Sequence, residues 1–444
     1  MAHPTITRRA LLRVGAVGLT GLSLPNVLRA EKAAPARKAT AKSVIMLFQF
    51  GGPSHLETFD CKPDAPAEVR GEFKAIRSKT PGLLVTEHLP KLAARSDLYA
   101  VVRSVAHNKS SHNSGAYYSL TGREPLVNIV TATAAATDFP HPGSVVSRFR
   151  PAAEKVPSFV SLPTMIADGP FRTPGEFAGL LGKAHDPLWV LTDPNAADFR
   201  VTELAPPAGV DVGRLADRQA VQAGLAGLSA LADRTADVRG MRDYQARALD
   251  ILTSAATQRA FAIQEEKADL RDRYGRHTYG QSVLLARRLV EAGVRFVTVY
   301  YSRGIRGWDM HDTLFPTMKN TLLPHTDGTL SALLDDLKDR GLLDETLVYW
   351  TGDFGRTPKV NDKAGRDHWP QCQSIVLAGG GVRGGITYGA SDPRGAFPKD
   401  DPLRPDDITA TVFHALGLDP ATEIRDQLGR PMPISAGRPI PILG

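Results

Sequence analysis

The stretch TLVYWTGDFGRTPKVNDKAGRDHWP, Thr346 to Pro370, decides how the rest of the chain is read. It opens on an apolar, β-branched and aromatic run, Leu347-Val348-Tyr349-Trp350, which predicts a buried strand. The run stops at Gly352-Asp353, so a carboxylate arrives at the strand's C-terminal end. Open α/β sheets bind ligands in the crevice outside those ends. A Gly-Arg-Thr-Pro turn follows, then a polar loop, then Arg366, Asp367, His368 and Trp369. A carboxylate at Asp353 and an imidazole at His368, both beside loop backbone, form half of a metal or phosphoryl site. The same residues also suit a salt-bridged loop in which Asp353 caps a turn and pairs with Arg356.

Working outward, Asp327 to Arg340 reads as a helix closed by Gly341, feeding the strand. After His368 a further strand, Ser374 to Ala378, ends in Gly379-Gly380-Gly381. These glycines lack the GxxxxGK[ST] pattern of a phosphate cradle, so a tight turn is expected. Near the other end of the chain, Ser43 to Phe50 (SVIMLFQF) shows no alternation, as expected of a central parallel strand covered on both faces. It runs into a loop with His55, Glu57 and Asp60. Leu98 to Val105 is another strand, followed by the polar run His107 to Gly115 with His112, and a helical stretch toward Thr121. Helix Tyr279 to Ala292 and strand Val294 to Tyr301 lead into GIRGWDMHD, which places Asp309 and His311 just past a strand end. Residues 406–417 predict an N-capped amphipathic helix. Residues 126–210, rich in Pro and Gly, read as irregular cover, and 211 to about 272 as an amphipathic helical insertion. Strands alternating with helices imply an α/β fold: a mostly parallel central sheet with helices on both faces. The expected organisation is a signal at 1–30, a linker at 31–42, and one α/β domain over 43–444 carrying the insertion.

The first thirty residues differ from the rest in kind. Arg8-Arg9, a modest apolar run from Val14 to Leu24, and small residues around Ala30 predict a twin-arginine export signal, hence a periplasmic or secreted protein delivered by the twin-arginine machinery. Its removal takes four arginines and no acid, lowering the formal charge from +7 to +3. The basicity is therefore partly an address, and neither nucleic acid nor a membrane surface is an expected partner. No apolar run is long enough to remain in a bilayer. Only Cys61 and Cys372 are present, without a CxxC metal knot.

The segment TDGTLSALLDDLKDRGLLDETLVYWTGDFG is similar to the helix–loop–strand of the alkaline phosphatase and sulfatase superfamily, whose strand ends in Asp-His-Gly. HNSGAYYSLTGREP resembles the sulfatase signature that ends in Thr-Gly-Arg-x-Pro. From SVIMLFQFGGPSH through GWDMH, GDFGRTP and GRDHWP to the C-terminal GRP, the chain resembles the sulfatase-like domain-of-unknown-function family 1501. Several positions depart from the superfamily. The first strand ends in Gln49-Phe50-Gly51-Gly52 instead of paired aspartates. His112 stands where the Cys, Ser or Thr nucleophile is found, and Asp-His-Gly has become Asp353-Phe354-Gly355. Glu57 and Asp353 are each the other acid from the one expected within the smaller family.

The resemblance implies an exported metal-dependent hydrolase of phosphate or sulfate esters that lacks the usual side-chain nucleophile, acting on an anionic ester such as a sulfated or phosphorylated glycan. The expected metal ligands are Asp309, His311, Asp353, His368 and Glu57, and their oxygen and nitrogen donors suit a divalent metal, zinc or manganese. His112 is expected as ligand or general base, with Arg356 and Arg366, or Arg123, gripping the anion. The competing expectation is a catalytically lapsed binding or envelope-scaffold protein.

Overall fold

A computed structural model describes residues 38–152, 155–201, 254–302 and 307–444, so the expected signal, most of the linker and residues 211–253 of the insertion lie outside the described residues. The principal strands are β1 (Ser43–Gln49), β2 (Tyr99–Val105), β3 (Phe159–Leu162), β4 (Leu188–Trp189), β5 (Phe296–Tyr301), β6 (Thr346–Gly352), β7 (Gln373–Ala378) and β8 (Ile386–Tyr388). They form one eight-stranded sheet in the order β8-β2-β7-β6-β1-β5-β3-β4. β1 lies between β6 and β5, parallel to both, with Ser43 opposite Thr346 and Val44 opposite Phe296. β7 runs antiparallel to β6 and β2, and the remaining pairings are parallel. The expected fold class is the one observed.

The principal helices are α1 (His112–Thr121), α2 (Pro142–Phe149), α3 (Thr278–Glu291), α4 (Leu323–Asp339) and α5 (Pro405–Ala415). Side chains alternate across a strand, and in β1 both faces are apolar for that reason. Ile45 and Leu47 join the core built with α3 and α4, while Val44, Met46 and Phe48 join the core built with α1, α2 and α5. The unbroken hydrophobic run is thus two half-patterns superposed. α4 begins at Leu323, ahead of the expected Asp327, and continues a helical run from Leu314 whose π-helical turn at Met318–Leu322 lies just before Pro324.

Residues 126–210 are more than irregular cover. They supply α2 and two strands, β3 and β4, which extend the sheet beyond β5. These strands span four and two residues, too short for a period to declare itself in sequence. Of the expected helical insertion, the described part contains helices at Ala255–Phe261 and Ala268–Tyr274. Gly379, Gly380 and Gly381 form a turn with φ of 65°, 57° and 90°. Because β7 is antiparallel, that turn lies at the sheet edge opposite the carboxyl ends of the parallel strands. Cys61 and Cys372 are both free thiols. Among the described residues, no helix is long and apolar enough to cross a membrane.

Candidate metal centre

Four connections bring their polar residues to one edge of the sheet. β1 ends before Gly51-Gly52, β2 leads to His112 at the start of α1, β5 precedes Asp309 and His311, and β6 delivers Asp353. β7 starts at this edge, with His368 just before it. Gly51 permits the convergence. Its φ is +104°, and a Cβ there would fall 2.3 Å from the Asp309 backbone nitrogen. Its own N–H donates to Asp353 Oδ1 at 2.9 Å, so the end of β1 ties two acidic loops together.

Each of three histidines has one ring nitrogen committed to an acceptor. His112 Nδ1 donates to Asp353 Oδ2 at 2.5 Å, His311 Nδ1 to Asp367 Oδ1 at 2.6 Å, and His368 Nδ1 to the Ser110 carbonyl at 2.6 Å. Neither a carboxylate nor a carbonyl can donate, so the proton sits on Nδ1 and a neutral ring presents the Nε2 lone pair. All three Nε2 atoms face Asp309 Oδ1, at 3.3 Å from His112, 3.1 Å from His311 and 3.2 Å from His368. His311 Nε2 and His368 Nε2 are 3.0 Å apart. His112 Nε2 is buried without a hydrogen-bond partner.

Lone pairs that face each other repel unless a proton or a metal ion lies between them, and Nε2 protons shared with Asp309 are what a bound metal would displace. Four donors about 2.0 Å from a tetrahedral ion are separated by about 3.3 Å, close to the three spacings to Asp309 Oδ1 and the one between His311 and His368. Carboxylate and carbonyl partners on the far ring nitrogens are the usual outer support of metal-bound histidine. His112, Asp309 and His368 each offer one atom, all within 4.8 Å of one another; His311 contributes a nitrogen that meets two of the three. This donor set fits a divalent metal.

Charge in the cluster follows the same contacts. Burial would raise the Asp309 carboxyl, but the three imidazoles and the Arg356 guanidinium hold it far below the usual range. Burial would lower His112, yet hydrogen bonds to both Asp309 and Asp353 bring it up to about 9, so metal binding at Nε2 displaces a proton. Burial dominates at His368, which falls below the ordinary value. His311 is raised, first through Asp309, against burial and with help from Asp367.

The expected site residues divide into two groups. His112, Asp309, His311 and His368 converge. Asp353 meets this set through His112, and Arg356 through Asp309 Oδ1 at 2.6 Å. Arg356 pairs with Asp309, and its other donors go to the carbonyls of Gly51, Gly52, Trp308 and Arg366. Glu57 and Arg366 instead meet each other. Arg366 Nε and Nη2 reach the two Glu57 oxygens at 2.9 and 2.5 Å, and the remaining N–H groups bond the carbonyls of Val69, Thr357 and Pro358. The Ser54 hydroxyl also donates to Glu57. Phe354, where the superfamily has its imidazole, stacks on His112 with ring centroids 5.1 Å apart and also packs on His368. The Ser110 carbonyl was not legible in the sequence, because backbone atoms carry no residue-type signal.

Several solved structures are similar to this chain. The PsFucS1 sulfatase from Pseudoalteromonas sp. is 13% identical, with 88% of this chain and 70% of that chain covered at a TM-score of 0.37. The lipoteichoic acid synthase LtaP from Listeria monocytogenes is 10% identical, covering 87% and 74% at 0.35. A Bacteroides thetaiotaomicron protein from a glycosaminoglycan-metabolism locus is 11% identical, covering 88% and 83% at 0.38. No curated protein matches the chain. Residues 41–443 match the family described as "Protein of unknown function (DUF1501)", and the chain belongs to that family.

Proposed function

We propose that the protein is an exported hydrolase of phosphate or sulfate esters that uses one divalent metal held by His112, Asp309, His311 and His368. The observation that supports this most is the set of three imidazoles, each with Nδ1 committed and Nε2 turned to one carboxylate oxygen. A divalent metal bound there supplies Lewis-acid chemistry, polarising the ester and lowering the pKa of water. The protein's own groups orient the reaction. Asp353 fixes the His112 ring, Asp367 fixes His311, and Arg356, buried with its donors on backbone carbonyls and Asp309, holds Asp309 instead of gripping an anion. Glu57 and Arg366 serve as a buried brace for the loop before His368. With His112 in the cluster, no covalent phospho- or sulfo-enzyme forms on Ser110, Ser111 or Ser114.

The test combines metal analysis of the purified protein with a panel of phosphate and sulfate esters. One metal per chain with metal-dependent turnover is expected. Turnover with label trapped on a serine would defeat the nucleophile-free reading. A second reading, a lapsed binding protein, draws support from Arg356, which already compensates the Asp309 charge. That reading requires stable, well-folded protein with no stoichiometric metal. Export is proposed through the twin-arginine signal, and replacing Arg8 and Arg9 with lysine should leave the precursor in the cytoplasm.

A further inference from the structure

The segment PLVNIVTATAAAT, residues 125–137, has no charged residue between Glu124 and Asp138. Four of its large aliphatic side chains stand in solvent: Leu126 is 101% exposed, Val127 50%, Ile129 46% and Val130 55%. Single exposed aliphatics are ordinary, but a contiguous set marks a contact surface. The backbone beneath them is tightly held. Asn128 accepts from Ser111 N at 3.0 Å and donates to Ser110 Oγ at 3.1 Å. Ser114 Oγ accepts from Ile129 N and donates to its carbonyl. The fully buried Asn113 side chain donates to the carbonyls of Val130 and Ala132, at 3.1 and 2.7 Å.

These anchors are residues 110–114, the same turn that carries His112 and whose Ser110 carbonyl holds His368. The loop is therefore fastened by polar contacts to the turn that flanks the metal cluster, while its apolar side chains stand in solvent. Next to His368 in the chain, Trp369 packs edge-on against Phe397, centroids 5.6 Å apart, and Phe397 is 51% exposed. Within residues 126–130 the four exposed aliphatics offer apolar contact to an alkyl chain, and Asn128 between them is committed to Ser110 and Ser111.

From this rim we infer that the site takes an amphiphilic ester: an anionic head at the His112–Asp309–His311–His368 cluster, and an alkyl chain lying on the 125–130 loop. The inference rests on the proposed ester site and specifies its substrate class. The test is calorimetric titration of the full chain with n-butyl, n-octyl and n-dodecyl phosphate and the matching sulfates, below their micelle concentrations. Metal content and turnover are measured on the same sample. Kd should fall about two- to fourfold per methylene, and the double variant Leu126→Asn, Ile129→Asn should flatten that dependence while keeping the wild-type thermal midpoint. Sedimentation with phosphatidylcholine vesicles containing dodecyl phosphate distinguishes a bilayer-borne ester from a free one. A Kd independent of chain length overturns the inference, as does a dependence that survives the double variant. So does a concentration-dependent dimer that the variant abolishes, since a second copy then covers the loop. Metal and turnover with a flat series defeat only this inference, and a chain-length dependence without metal or turnover defeats only the hydrolase reading.

Discussion

Three imidazoles facing one carboxylate oxygen make individual substitutions informative, because ligand and support roles have different costs. Removing His368 deletes a donor nitrogen that no neighbour replaces, so His368→Ala should lose most of the bound metal while the sheet stays folded. Wild-type metal stoichiometry in that variant would remove His368 from the ligand set. Asp367→Asn keeps the size of the group that orients His311 but loses its charge, and it should weaken metal binding by about 10- to 100-fold, read by competition with a chelator. The buried Glu57–Arg366 pair predicts the reverse profile. Arg366→Met leaves Glu57 as an uncompensated charge, fully enclosed, and should lower unfolding stability by about 3–5 kcal/mol in denaturant titrations. The sequence displayed every charged member of both groups. Which acid would meet which base was not legible, since Glu57 and Arg366 stand 309 positions apart and their pairing depends on how β1 and β6 register.

The elements show why some of the architecture could be read in advance and some could not. β1 and β6 carry unbroken apolar runs, and β5 one interrupted only at Thr298, because both faces are covered; the chain beyond their ends turns to Gly, Asp and His. β3 and β4 announce nothing of the kind. The glycine pair after β1 closes a turn, with Gly52 N–H donating to the Gln49 carbonyl, and Gly51 also makes room for the Asp309 backbone. Gly51→Ala must resolve both that 2.3 Å contact and a left-handed φ, at a cost of about 1–3 kcal/mol. It should also displace Asp309, so metal affinity falls along with the melting temperature. A variant that melts earlier with undiminished metal affinity would show that the contact is absorbed without moving Asp309.

For the protein in its entirety, acid sensitivity follows from histidines kept neutral inside the fold. Burial brings His141 down to about 3, with its Nδ1 accepting from Gly143 N at the start of α2. His107, lowered mainly by burial to about 4, acts in the same direction. A group depressed in this way contributes stability that is full above the unfolded pKa, about 6.5, and is lost as pH falls toward the folded value. His141 alone accounts for about 5 kcal/mol between those limits at 1.36 kcal/mol per unit. Stability should decline steadily from about pH 6.5 downward, and His141→Gln should flatten part of that slope in melts across the range. Within the described central sheet the one antiparallel strand, β7, has a further consequence. Because β6 leaves the sheet and β7 re-enters it at the same edge, the intervening chain departs and returns through neighbouring doorways, closed on itself where Gly355 pairs with Trp369 and Arg356 with His368. That excursion carries Asp353, Arg356, Arg366, Asp367 and His368 as one cassette. Exchanging it between relatives would move His368 together with the groups that hold His112, Asp309 and His311 in a single graft, with the sheet never rethreaded.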